Sequence, residues 1–229
     1  MENVITLAIM LSVLAYESVG RSQAESLGVS IPTEDGGLIY ADLYGSGVRG
    51  VVLAHGGQFN KESWEKQARV LVKAGFRVLA FDFRGYGQSK GPGQANPGSA
   101  PFRFDVLAAV RYLRKTGTKT VSVVGASMGG GAAADASIEA PGEIDRLVLL
   151  AGYGDGSPGS IKGRKLFIVA RDDANSGGLR LPKIRQYYER VHGPKKLVIL
   201  DGSAHAQFLF QTDQRELLMS EILRFLSEP

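Results

Sequence analysis

No cysteine occurs among the 229 residues. That excludes disulfides, thiolate zinc sites and thiol nucleophiles together, while leaving the redox compartment open. A dominant charge is missing too: 27 Lys plus Arg against 23 Asp plus Glu leaves +4. The densest basic stretches, Lys162-Gly163-Arg164-Lys165 and Lys195-Lys196, flank apparent strands without interleaved aromatics. They read as solvated faces, and no nucleic-acid partner is expected. An apolar run at residues 4–15 is too short to cross a bilayer, so no stable membrane insertion is expected. Three dispersed histidines argue against a metal site.

Glycine is what the chain has in excess. Its 30 residues are nearly twice the usual share of about 7%, and they cluster where strands end. Apolar residues at 44% and charged residues at 22% are ordinary for a globular protein. The length suits one doubly wound domain. Residues 4–15 read as the apolar part of a secretory signal, followed by the small-x-small pattern Ser22-Gln23-Ala24. The positive start of such a signal is missing, since Glu2 is the charge there. Export with a cut before Glu25, to the periplasm or outside, is the expectation. An N-terminal helix on a cytoplasmic protein is the alternative. Either way residues 25–229 form a single catalytic domain.

Runs at 27–32 and 39–44 around Glu34-Asp35-Gly36-Gly37 predict a β-hairpin. Apolar strands follow at 51–54, 77–83, 120–124, 146–151, 165–170 and 195–201. Helices are expected from Asn60 or Ser63 to Ala74, over 105–116, after the 125–131 stretch to about Ala140, and over 181–191 and 215–226. Continuous apolar strands alternating with helices predict an α/β fold, a mostly parallel sheet covered on both faces. Ligands of such sheets sit beyond the carboxyl ends of the strands.

One motif there carries chemistry. Gly125-Ala126-Ser127-Met128-Gly129 is Gly-x-Ser-x-Gly between a strand and a helix. The turn holds Ser127 in strained geometry and leaves no space for side chains two positions away on either side. The helix that follows favours negative charge near the serine. A serine hydroxyl needs a base. His55 ends an earlier strand and His192 precedes one, on the opposite rim. His205 follows the last strand, on the rim where Ser127 emerges. A carboxylate must orient that base. Arg171-Asp172-Asp173 follows the strand at 165–170; the turn favours Asp173, with Asp172 as the alternative. Asp82 and Asp201 also end strands and read as turn and loop hydrogen-bonding groups. Attack on a carbonyl further needs donors where its oxygen becomes negative. The N–H of Met128 is the first. The second comes from His55-Gly56-Gly57-Gln58, with Gly57 preferred and Gln58 the alternative. Trp64 and Tyr86 are expected in core or rim packing rather than against substrate.

These residues resemble the α/β-hydrolase family, in particular its small dienelactone-hydrolase-like and serine-esterase members. The resemblance rests on His55-Gly56-Gly57, on Phe81-Asp82-Phe83-Arg84-Gly85-Tyr86-Gly87-Gln88-Ser89, on the Ser127 elbow, the Asp173 turn and His205. It covers about residues 27 to 227, in the order nucleophile, acid, base. It implies an α/β-hydrolase fold and hydrolysis of a small-molecule carboxylic ester through an acyl-enzyme, with no metal or organic cofactor. Dienelactone hydrolases proper use a cysteine nucleophile, so that activity is not expected. Many members insert a helical cap after the strand at 146–151. Here residues 152–161 alone intervene, implying an open site for short acyl groups. Thioester or amide cleavage, acyl transfer to an alcohol, and a disabled binding protein are the rivals. Gly152-Tyr153-Gly154-Asp155-Gly156 follows a strand, yet its third glycine is one position early and Pro158-Gly159 blocks the helix a dinucleotide site needs.

Overall fold

The computed structural model describes residues 25–228. The expectations placed on residues 1–24 lie outside the described residues. The main sheet has eight strands in the order β1-β2-β4-β3-β5-β6-β7-β10. These are β1 (Leu27–Pro32), β2 (Leu38–Tyr44), β3 (Arg49–Ala54), β4 (Phe76–Phe81), β5 (Thr120–Ala126), β6 (Arg146–Leu150), β7 (Arg164–Ala170) and β10 (Lys195–Leu200). β1 and β2 form the expected antiparallel hairpin, and β2 pairs antiparallel with β4. From β4 onward every pairing is parallel. The central strands are buried on both faces, which is why they read as continuous apolar runs rather than alternating ones.

The helices follow from that order: α1 (Glu65–Lys73), α2 (Arg103–Lys115), α3 (Met128–Glu139), α4 (Arg180–Arg190) and α5 (Arg215–Ser227). The step from β3 to β4 runs one way across the sheet, whereas β4 to β5, β5 to β6 and β7 to β10 run the other. Right-handed crossovers therefore put α1 on one face and α2, α3 and α4 on the opposite one. Lys66 and Val70 of α1 line a groove with Arg215 and Met219 of α5, so the C-terminal helix joins α1. Between β6 and β7 the chain holds a single 3-10 turn, Pro158–Ser160, in place of a helical cap. Among the described residues no helix is long and apolar enough to cross a membrane.

Local departures have local causes. The helix expected over 60–74 is split: Asn60 caps a 3-10 turn, Lys61–Trp64, by accepting from the Ser63 N–H, and α1 follows. The strand expected to reach Phe83 ends at Phe81. Beyond it the Asp82 carboxylate accepts from the Lys61 N–H at 2.8 Å. Trp64 is core, edge-on to Phe210 at 5.8 Å. A two-stranded ribbon, β8 (Ala174–Asn175) with β9 (Gly178–Leu179), had no signal in the sequence, being too short for any periodicity.

Candidate active site

The carboxyl ends of β3, β5, β7 and β10 bring His55, Ser127, Asp173 and His205 to one rim. Ser127 sits between β5 and α3 at φ 50° and ψ −112°, a backbone region that side chains rarely occupy. Its N–H donates to Leu150 O at 2.8 Å and its carbonyl accepts from the Gly131 N–H at 3.0 Å, so both neighbours hold the strained turn. Close backbone approach explains the flanking glycines. A Cβ at Gly125 would lie 2.4 Å from Gly129 O, and one at Gly129 would lie 2.4 Å from Ala54 O. Neither neighbour is a flexible side chain. Gly129→Ala is therefore expected to cost about 3 kcal/mol and to displace Ser127, read as a lower urea midpoint together with loss of labelling by a fluorophosphonate.

Ser127 Oγ and His205 Nε2 are 2.7 Å apart, and His205 Nδ1 is 2.7 Å from Asp173 Oδ2. Of the two adjacent aspartates it is Asp173, fully buried, that meets the histidine. Asp172 is exposed. Arg171 reaches Asp201 at 3.4 Å rather than Asp172. The β8–β9 ribbon turns the chain back so that the Arg180 N–H donates to Asp173 O at 2.8 Å and Arg180 Nε stands 3.3 Å from Asp173 Oδ1. Arg180 thus places a cation behind the carboxylate, a contact no sequence motif announced. Gln207, buried in a 3-10 turn (Ala206–Gln211) right after His205, accepts from the Gly56 N–H and donates to Ser63 Oγ, both at 2.8 Å. It ties the histidine loop to the glycine loop.

That glycine loop is braced from below. The His55 ring is fully buried, with Nδ1 2.9 Å from Gly56 O and Nε2 accepting from the Phe83 N–H at 3.2 Å. This pattern requires Nδ1 to carry the proton and the ring to be neutral. Burial holds the His55 pKa down at about 4, against a backbone bond to Gly56 that acts the other way. The sign follows directly. In the unfolded chain His55 takes a proton near pH 6.5, whereas the folded protein resists it until about pH 4, so stability falls as pH drops through that window. The loss between pH 7 and pH 4.5 is expected to be on the order of 2–3 kcal/mol greater in the parent than in His55→Asn, measured by urea unfolding.

Gly57 and Gln58 are exposed beside this brace, and a Cβ on Gly57 would lie 3.8 Å from Met128 Sδ. Tyr86 hydroxyl donates to Gly57 O at 3.1 Å, so this tyrosine supports the loop from the rim. Met128 opens α3, where the first N–H groups have no partner within the helix. A cleft of about 530 Å³ starts at Ser127 and Met128 and runs between α3, residues 97–103 and residues 153–156. The glycine-rich stretch after β6 is therefore a cleft wall. Gly152 passes so close that a Cβ would lie 2.5 Å from Ser127 O.

Sheet order and strand-end geometry define a doubly wound α/β protein whose ligand rim carries a strained serine within hydrogen-bond reach of a histidine. The sequence pattern of the alpha/beta hydrolase fold matches residues 50–228, and the chain belongs to that family. A non-heme haloperoxidase of Rhodococcus erythropolis is 28% identical over 171 residues, 75% of this chain and 57% of that protein. Other curated relatives are spanned over less than half of their length. Among solved structures, the Pyrococcus furiosus esterase Pf2001 superposes with TM-score 0.74 at 22% identity, covering 88% of this chain and 91% of that one. The esterase EaEST of Exiguobacterium antarcticum gives 0.71 at 19%, covering 88% and 100%. At these identities the structural likeness speaks for the fold.

Proposed function

We propose that the protein is a serine hydrolase that cleaves carboxylic esters with short acyl groups through an acyl-enzyme. The observation that carries this reading is the continuous chain of contacts from Ser127 Oγ through the His205 ring to Asp173, 2.7 Å at each step. His205 takes the Ser127 proton as the oxygen attacks the carbonyl carbon. Asp173 fixes the ring tautomer and balances the imidazolium. The N–H groups of Gly57 and Met128 receive the oxyanion, and α3 adds its N-terminal dipole. His205 then returns the proton to the leaving alcohol. In the second half it activates water, which releases the acid and restores the serine.

The short β6–β7 connection, which holds one 3-10 turn and no helical cap, supports small or exposed substrates. Initial rates on p-nitrophenyl esters from acetate to dodecanoate, with fluorophosphonate labelling alongside, test the proposal. Activity peaking at short chains with one label on Ser127 supports it, and an unlabelled, inactive protein removes it. The likeness to a haloperoxidase supports a second reading, in which an acceptor such as hydrogen peroxide opens the acyl-enzyme in place of water. Product analysis with and without the acceptor separates the two.

A further inference from the structure

The two oxygens of Asp173 are held very differently. Oδ2 meets His205 Nδ1 at 2.7 Å. Oδ1 is buried, and among the described residues it accepts no hydrogen bond. The charged group against it is Arg180 Nε at 3.3 Å, itself buried and without a hydrogen bond. A buried carboxylate oxygen left so bare is costly unless a cation stands by it.

Strand register puts Arg180 there. β8 pairs with β9 as Ala174 with Leu179 and Asn175 with Gly178, so the next pair outward is Asp173 with Arg180. The Arg180 N–H, donating to Asp173 O at 2.8 Å, closes that pair. Side chains of directly opposed residues are near enough to meet. The turn that sets this register is local: Asn175 Oδ1 accepts from the Gly177 N–H at 2.9 Å, and Gly178 takes φ 93°. A slip of one residue would set Leu179 or Leu181 across from Asp173 instead. Arg180 also opens α4, where the helix dipole disfavours a cation, so the helix gains nothing from its charge.

The other charges near the triad are differently placed. Asp172 is exposed, Arg171 is paired with Asp201 at the surface, and Lys183 is exposed one turn along α4. Beside the glycine loop His55 is neutral, with Asp82 3.9 Å from its Nε2, and Lys61 and Glu62 bond each other. Asp135 lies two turns along α3.

We propose that Arg180 is a positioning residue for the triad: from its place across the β8–β9 ribbon it holds Asp173 ionised, with Oδ2 turned to His205. The inference rests on Ser127, His205 and Asp173 acting as the proposed triad. The electrostatic consequence has a definite sign. The Asp173–His205 pair takes up one proton on acidification, and a cation beside it opposes that uptake whichever residue holds the proton. Activity therefore persists to lower pH with Arg180 than without it.

Arg180→Met, Arg180→Lys and, as a control for net charge, Lys183→Met test it through kcat/KM for p-nitrophenyl acetate from about pH 5 to pH 8. Rates of fluorophosphonate labelling over the same range read the same base when turnover is slow. In Arg180→Met the acid limb is expected to move up by about half a pH unit. Its kcat should fall roughly tenfold with KM little changed. Arg180→Lys should return the limb to its parent position, and Lys183→Met should leave it there. The bond to Asp173 O comes from the main chain, so each substitution keeps the ribbon's closing pair. An unmoved limb in Arg180→Met, or a lysine variant displaced as far as the methionine one, overturns the proposal. So does failure of both Arg180→Met and Arg180→Gln to fold, which would make Arg180 a structural residue. If the parent is active and labelled at Ser127, the proposed function survives that failure. A parent neither labelled nor active removes both.

Discussion

Ser127→Ala is expected to lower kcat for ester hydrolysis by about a million-fold, equivalent to about 8 kcal/mol of barrier, and to abolish fluorophosphonate labelling. His205→Ala should lose about as much, because a serine without its base is a poor nucleophile. Asp173→Asn is expected to lose about ten-thousand-fold. The buried carboxylate at 2.7 Å from Nδ1 selects the tautomer that leaves Nε2 free to accept the Ser127 proton, and an amide can donate and favour the wrong one. These losses should not add: Ser127→Ala with His205→Ala should be scarcely slower than either alone, since three groups act on one proton path. Additive losses would contradict the mechanism. Neutralising Asp172, exposed beside Asp173, should change kcat little.

The second large effect is on stability. Arg84, about 1% exposed, is held by two carboxylates. Its Nε and Nη2 reach Asp105 Oδ1 at 2.9 and 2.7 Å, and its Nη2 reaches Asp35 Oδ1 at 2.9 Å. Its backbone N–H donates to Asp105 Oδ2 at 3.0 Å, and Nη1 donates to Pro92 O at 2.9 Å. One side chain therefore joins the β1–β2 turn, the first turn of α2 and the loop whose later residues wall the cleft. Burial pushes the Asp105 carboxyl up, although Arg84 pulls it down. Desolvation thus takes back much of the attraction, and the network is better understood as fixing geometry than as adding net stability. Removing the cation is a different matter. Arg84→Met strands a buried charge and is expected to cost about 3–5 kcal/mol, with Tm lower by roughly 10 °C. Part of the loss should return on acidification. Without Arg84 the folded-state pKa of Asp105 stands further above its unfolded value, so the folded variant binds the proton first and gains relative stability as pH falls through it. Urea midpoints of parent and variant at pH 7 and pH 5 measure both signs. A loss under about 1 kcal/mol would mean that water reaches this network.

The sequence by itself determined the sheet class, because strands buried on both faces must be apolar throughout, and it located the strand ends, because tight turns there demand glycine. It therefore named Ser127 and His205 as side chains sharing one rim, each by the strand it follows. These are local signals, legible within some ten residues. It could rank Asp173 above Asp172 but not choose between them, since adjacent residues in a turn differ in direction rather than in composition. Folding alone decided that Asp173 points at a histidine 32 positions away, with Arg180 behind it through a ribbon too short to announce itself. The same holds for Gln207 clasping Gly56 across 151 positions, and for residues 152–156, whose glycines read as a failed nucleotide loop until the sheet set them against Ser127. Asp135 shows the difference most plainly. On the sequence it is one charge in a small-residue helix. Only the packing of the 153–156 loop over α3 puts its carboxylate in the cleft, because which face of a helix meets a cavity depends on what lies across from it.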